Sequence, residues 1–386
     1  MKKIKIPLLG KIIIAIISGV ICGNVFNEPL TRTFITFNGI FSQFLGFMIP
    51  LIIVGLVTPA IADIGHGAGK LLLCTVGLAF ADTILAGLLA FGTGSALFPD
   101  MVANTGKIAV EKSEEIKPFF ELKIPAMIDV MSALVFSFIA GIGIAYKSSR
   151  TMHNMFEEFK DIISGTIAKV IIPLLPLYIF GIFLNMTYSG EAYRILIVFA
   201  QIILVILVLH VVILIYEFLI AGGVSHKNPI RLLINMMPAY FTALGTSSSA
   251  ATIPVTLKQT LKNGVTDGIA GFTVPLCATI HLSGSMMKIT SCALTICLLN
   301  GMPYDLPLFL NFIFVLSICM VAAPGVPGGA VMAALGPLAS ILDFNADMQA
   351  LMIALYIAMD SFGTACNVTG DGAIAIVVDK IFKKKQ

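Results

Sequence analysis

NMMPAYFTALGTSSSAATIPVTLKQTLKNG, residues 235–264, decides how the rest of the chain is read. His226, Lys227 and Arg231 precede it, and it ends among Lys258, Lys262 and Asn263. Lysine and arginine mark the cytoplasmic flanks of membrane segments, so both ends of this stretch belong on one side. Its centre, TSSSAA (246–251), is polar where a spanning helix would be most apolar. A single crossing is then impossible. The stretch is expected to enter from inside and turn back at the serines, as a re-entrant hairpin.

The composition requires a bilayer around that hairpin. Of 386 residues, 58% are hydrophobic and only 12% charged, and the mean hydropathy is +0.99. A soluble domain carries about 25% charged residues. Long runs with few or no charges recur at 12–23, 44–61, 71–91, 128–145, 170–184 and 195–220, and a helix needs about 20 apolar residues to cross the hydrocarbon. The fold class is therefore all-α polytopic membrane protein. The opening MKKIKIPLLGKIIIAIISGVICG has the basic head of a signal peptide but no clear small-x-small cleavage site, so it reads as a first span.

Lys2, Lys3, Lys5 and Lys11 set the start inside; Lys147 with Arg150 and 226–231 set two later returns inside; Lys380 and Lys383–Lys385 set the end inside. Six spans fit within residues 1–231, with a polar amphipathic connection at 151–165 before the fifth. This implies a cytoplasmic membrane protein with both termini cytoplasmic. The long outer segment 98–123 suggests no function. Seven cysteines, none in a CxxC pair, lie in apolar segments; they read as small core residues and not as a disulfide framework or zinc site. The net charge of +3 comes from loop lysines. There is no basic-aromatic pattern, phosphate loop or GxGxxG, so nucleic-acid and nucleotide partners are not expected.

After Arg231 the apolar segments break in their middles. The stretch 306–342 mirrors the first hairpin, with tip AAPGVPGGA and outward-facing ends. Between them, 271–299 is interrupted by HLSGS, and AMDSFGTACNVTGDGAIAIVVDK (358–380) is expected to break at NVTGDG. The plan is hairpin 1 (232–262), helix 7 (265–299), hairpin 2 (303–342) and helix 8 (346–383). That makes eight transmembrane helices plus two re-entrant hairpins, in inverted repeats. Broken backbone at membrane depth is tolerated only where it lines a cavity or binds a ligand. Paired interrupted segments in inverted halves point to the central site of a secondary transporter. A channel ordinarily repeats such loops across subunits instead. An intramembrane enzyme would need a base beside its serine, and nothing in the sequence places His281 near Ser248.

Asp360, Thr364, Asn367 and Asp371 stand at i, i+4, i+7 and i+11, one helical face. Thr364 and Asn367 suit helix–helix hydrogen bonding. Two carboxylates do not, because each costs about 2.5–3.5 kcal/mol at mid-bilayer. Bound cations or a substrate ammonium are the natural partners. The serine tip, with Ser248 and Ser249, offers hydroxyls and unpaired N–H groups for a carboxylate. An ammonium binder facing a carboxylate binder describes an amino acid site.

The order SSSAATIPVT, PLCATIHLSG, APGVPGGA and DSFGTACNVTGD resembles the dicarboxylate/amino acid:cation symporter family, the glutamate transporter homologues, over most of the chain. The SSAA-x-IP and DSxxTA forms look most like its serine/threonine branch. The resemblance implies an elevator-type homotrimer. Residues 1–231 would be mainly scaffold, with helices 3 and 6 joining a transport unit of 232–386. It implies Asp360 on the substrate amino group and Ser248, Ser249, Ser285, Val326, Ala330, Gly363, Thr364 and Asn367 around the substrate. It implies Na+ ligands among Cys277, Thr279, His281, Asn367 and Asp371, and no cofactor besides the coupling ion. Where acidic-substrate carriers place an arginine, this chain has Gly363, which offers no charge and opens space. The expected substrate is a small neutral amino acid.

Where the family has NMDG, this chain has His281-Leu282-Ser283-Gly284, which weakens sodium sites. His281 either titrates or serves as a neutral ligand, so coupling to Na+, to H+ or to no ion stays open, as does a dicarboxylate substrate. Lys288, seven residues after His281, is expected to pair with Asp82 of AFADTILAG (79–87), a built-in charge in place of one cation.

Overall fold

The structure is a computed structural model that describes residues 8–65, 69–105, 116–190, 192–321, 323 and 328–382. Every regular element among them is helical. The first group comprises α1 (Leu8–Gly23), α2 (Glu28–Gly65), α3 (Lys70–Thr105), α4 (Val130–Lys147), α5 (Arg150–Thr166), α6 (Ile172–Tyr188) and α7 (Ala192–Ser225). The second comprises α8 (Pro229–Thr246), α9 (Ser249–Lys262), α10 (Asp267–Ile280), α11 (Ser283–Leu299), α12 (Leu306–Val321), α13 (Gly329–Ile341), α14 (Ala346–Ala358) and α15 (Asp360–Phe382). Among the described residues six helical segments are long and apolar enough to cross a membrane: Glu28–Ala62, Lys70–Ala103, Arg150–Tyr188, Ile195–Ser225, Asp267–Leu299 and Asp360–Phe382.

Local chemistry sets the ends. Asn228 caps α8 by accepting from the Arg231 N–H at 3.1 Å, and Pro229 supplies a first residue that needs no N–H. Asn345 caps α14 through the Met348 N–H at 3.0 Å. A π-helical turn at Ile167–Ile171 joins α5 to α6. Pro173 follows it, and a proline withholds the N–H that would bond the carbonyl four residues back; the ladder widens there instead. The connection expected at 151–165 is α5, an amphipathic helix that buries Phe156 and Ile163 and packs on α2.

Two sets of helices emerge from the packing. α1 lies on α6 and α2 on α4. In the other set α15 is central, touching α3, α7, α8, α9, α10, α11 and α14. It is buried on nearly all faces, as a helix inside a bundle must be. α8 and α9 fold back on each other at Ser247 and Ser248, and α12 and α13 form the matching pair. α10 and α11 are separated only by His281 and Leu282, within the expected HLSGS.

One expectation is corrected. The backbone does not break at NVTGDG: α15 runs unbroken from Asp360 to Phe382. The interruption falls earlier, at Met359, which ends α14 one residue before Asp360. Gly370 and Gly372 have helical backbone and mark close packing. A Cβ at Gly370 would collide with Glu217 Oε2, and one at Gly372 would stand 2.6 Å from Met236 Cε.

Candidate functional site

Four helix starts converge on one small cavity. Ser249 begins α9, Ser285 lies in the first turn of α11, Ala330 in that of α13, and Asp360 opens α15; all four line the cavity. Helix starts present unpaired N–H groups and partial positive charge, which favour anionic groups. Three of these starts follow interruptions expected from the sequence, at TSSSAA, HLSGS and AAPGVPGGA; the fourth follows the break at Met359.

The walls are held by side-chain bonds between elements. Ser248 caps α9, accepting from the Ala251 N–H at 3.3 Å. Ser247 has φ +50° at the hairpin tip, and its Oγ meets Ser361 Oγ at 2.7 Å, tying the tip to α15. Asn367 Oδ1 accepts from the Ser285 N–H at 3.2 Å, and its Nδ2 donates to Ser285 Oγ at 3.0 Å. Ser285 Oγ also meets the Tyr356 hydroxyl at 3.0 Å. Thr364 spends its hydroxyl hydrogen on the Asp360 carbonyl, 2.8 Å away.

Asp360 is not bare. Its Oδ2 accepts from the Gly328 N–H at 2.8 Å. Its Oδ1 faces Lys288 Nζ at 3.4 Å, and the same ammonium lies 3.4 Å from the Met359 carbonyl. Lys288 is fully buried, with Nζ 3.7 Å from the centre of the Tyr356 ring. Gly363 gives it room: a Cβ there would collide with Lys288 Cε, and Nζ would be 2.5 Å away. This corrects two expectations. The space beside Gly363 is filled by a cation from α11. And Lys288 pairs with Asp360, not Asp82.

Asp82 belongs to a second cluster, behind the cavity. His281 Nε2 meets Asp82 Oδ2 at 2.9 Å, and Nδ1 meets Asp371 Oδ1 at 3.0 Å. Glu217 on α7 is 4.0 Å from Nε2 and accepts from Ser283 Oγ at 3.0 Å. The donor atoms of Asp82, Glu217 and His281 lie within 4.8 Å of one another. An imidazole meeting a carboxylate at each nitrogen donates twice only as the imidazolium; otherwise one carboxyl carries the proton. Glu217 Oε2 and Asp371 Oδ2 are buried without a hydrogen-bond partner, and such oxygens suit a hard cation.

Of the residues singled out in the sequence, Ser249, Thr279, Ser285, Ala330, Asp360, Thr364 and Asn367 line the cavity. Ser248 shapes it as a cap, and Gly363 backs it through Lys288. His281 and Asp371 sit together in the second cluster. Cys277 is buried in α10, where its carbonyl accepts the His281 N–H at 2.8 Å. Val326 lies outside the described residues. Sequence reasoning missed Ser247, Tyr356 and Glu217. Ser247 had a signal as part of the polar TSSSAA tip, and Glu217 as an acid inside a long apolar run, since such residues mark function by default.

The sequence as a whole carries the same identity as the geometry. The family model of the sodium:dicarboxylate symporter family matches residues 8–381. The serine/threonine transporter SstT of Acinetobacter baumannii (strain AYE) is 28% identical over 393 residues, covering 97% of each chain. The protein of the same name from Acinetobacter baylyi is 26% identical over 410 residues, covering 98% of each. A cavity at converging helix starts, backed by a buried polar cluster and carried on a match of nearly full length, makes this chain a membrane transporter that belongs to the sodium:dicarboxylate symporter family.

Proposed function

We propose that this protein imports a small neutral amino acid across the cytoplasmic membrane by symport with a cation, Na+ held at fewer sites than the family pattern provides. The observation that carries this is the cavity itself. Asp360 offers a carboxylate on one side, and the start of α9 at Ser249 offers N–H groups on another. An α-amino acid presents the complementary pair. Lys288, the cation that meets Asp360, is already engaged by it. A side-chain carboxylate would therefore enter without a partner, which disfavours glutamate and aspartate. The similar proteins named serine/threonine transporters support the same class.

The sodium reading rests on the unpartnered Asp371 Oδ2 beside Cys277 and His281, with Asn367 and Thr279 on the cavity side. His281 takes the position of a sodium ligand and engages Asp371 itself, which supports a reduced number of sodium sites. Bound there, Na+ would neutralise Asp371 and tie its affinity to the closing of the site.

The molecule is proposed to have eight transmembrane helices and two re-entrant hairpins, both termini cytoplasmic, and to work as an elevator-type homotrimer. The mutual packing of α1 with α6 and α2 with α4 supports a scaffold. The packing of α3 on α11 and of α7 on α15 supports helices 3 and 6 travelling with residues 232–386.

Uptake of radiolabelled L-serine, L-alanine and L-threonine into proteoliposomes tests the reading. An inward sodium gradient is expected to drive accumulation, and excess glutamate or aspartate is expected not to compete. Preference for an acidic amino acid or a dicarboxylate would overturn the substrate. Accumulation driven by a pH gradient without sodium would replace Na+ with H+, and equilibration under neither gradient would make the protein an uncoupled carrier.

A further inference from the structure

Asp360 has two claimants. On the amino acid reading above, the substrate ammonium takes this carboxylate. Lys288 already stands on it, 3.4 Å from Oδ1, anchored from α11 on another wall. The placement is built in from both helices. α11 supplies a lysine inside an entirely buried stretch. α15 supplies a glycine where any side chain would occupy the space of Cε and Nζ. Tyr356 adds an aromatic face 3.7 Å from the ammonium and Met359 a carbonyl at 3.4 Å, so Lys288 keeps partners when Oδ1 goes to another cation.

We propose that Lys288 is a tethered stand-in for the substrate ammonium: it balances the Asp360 carboxylate between substrates and yields Oδ1 when substrate enters. The electrostatic consequence concerns the return step of the carrier. A lone carboxylate carried through the hydrocarbon depth is costly. A carboxylate that brings its own ammonium is not a net charge, so Asp360 needs no replacement cation on the unloaded return. The same residue sets affinity, because each substrate ammonium must displace a tethered competitor. Lys288 is thus a residue that tunes specificity and turnover at this site.

Two transport modes in proteoliposomes separate this role from packing. Net uptake of labelled L-serine into vesicles without internal amino acid requires the unloaded return; exchange into vesicles preloaded with unlabelled L-serine does not. For Lys288→Met the ratio of net uptake to exchange is expected to fall about tenfold or more, and the serine concentration giving half-maximal exchange is expected to drop. Gly363→Ala keeps the ammonium but presses a methyl group on it, and is expected to shift the ratio in the same direction by a smaller factor. A ratio equal to wild type in both variants overturns the proposal, and so does an equal loss of both modes in both variants. If the wild-type protein moves none of L-serine, L-alanine or L-threonine in either mode, the amino acid reading fails first, and this inference falls with it.

Discussion

Asp360 and Lys288 show how little a buried charge can be judged alone. Lys288 is fully buried and Asp360 nearly so. Removing one member of such a pair leaves an uncompensated charge, whereas replacing both with neutral groups can cost little. Asp360→Asn is expected to destabilise the protein by about 3–5 kcal/mol. Lys288→Met added to it is expected to recover much of that loss. Unfolding in detergent across the double-mutant cycle checks this, and additive effects would show that the two residues do not act as a pair. The acidic stripe of α15 was legible in the sequence because four polar residues at helical spacing stand out in an apolar chain. The identity of each partner was not. Lys288 and Asp82 were both unmatched acids or bases on paper, yet Asp82 meets His281 at 2.9 Å and Lys288 meets Asp360. Pairing depends on which helix faces which, and spacing along one helix says nothing of that.

At the scale of the element, α15 was located correctly and broken in the wrong place. NVTGDG suggested a chain break because glycine and asparagine commonly end helices. Here the glycines admit neighbours: Glu217 and His281 against Gly370, Met236 against Gly372. Gly370→Ala would force a methyl group into Glu217 and to 2.7 Å from His281 Cε1, and overpacking of this kind costs about 1–3 kcal/mol. Gly77 on α3 has nothing within 4 Å of its Cβ position and is exposed. Gly77→Ala is therefore expected to be neutral or stabilising by up to about 1 kcal/mol, as for a solvent- or lipid-facing helix position. Thermal unfolding of the two variants side by side checks the contrast; equal effects would remove the close-packing account. The fold-back of α8 on α9 has a local signal: a cap-forming serine at the polar tip starts the second arm.

For the whole molecule, the proposed trimer has a direct measurement. A chain of 41.1 kDa is expected to give a protein mass of about three chains by light scattering in mild detergent, corrected for the micelle. A one-chain mass would remove the scaffold role given to α1, α2, α4 and α6. The packing itself does not depend on that outcome, since α15 is enclosed by helices of its own chain. The bundle places its broken elements around one cavity because their unpaired backbone groups need a polar setting.

Hydropathy and long apolar runs determined by themselves that this is an α-helical membrane protein with a polar last helix. Those features are local, and the bilayer enforces them wherever the chain goes. Tertiary structure alone decided that α15 begins at Asp360, that Lys288 fills the space Gly363 leaves, and that Glu217 joins Asp82, His281 and Asp371. These are contacts between helices far apart in sequence. Low-dielectric surroundings make each buried charge seek the nearest opposite charge, and only the packed bundle determines which one is nearest.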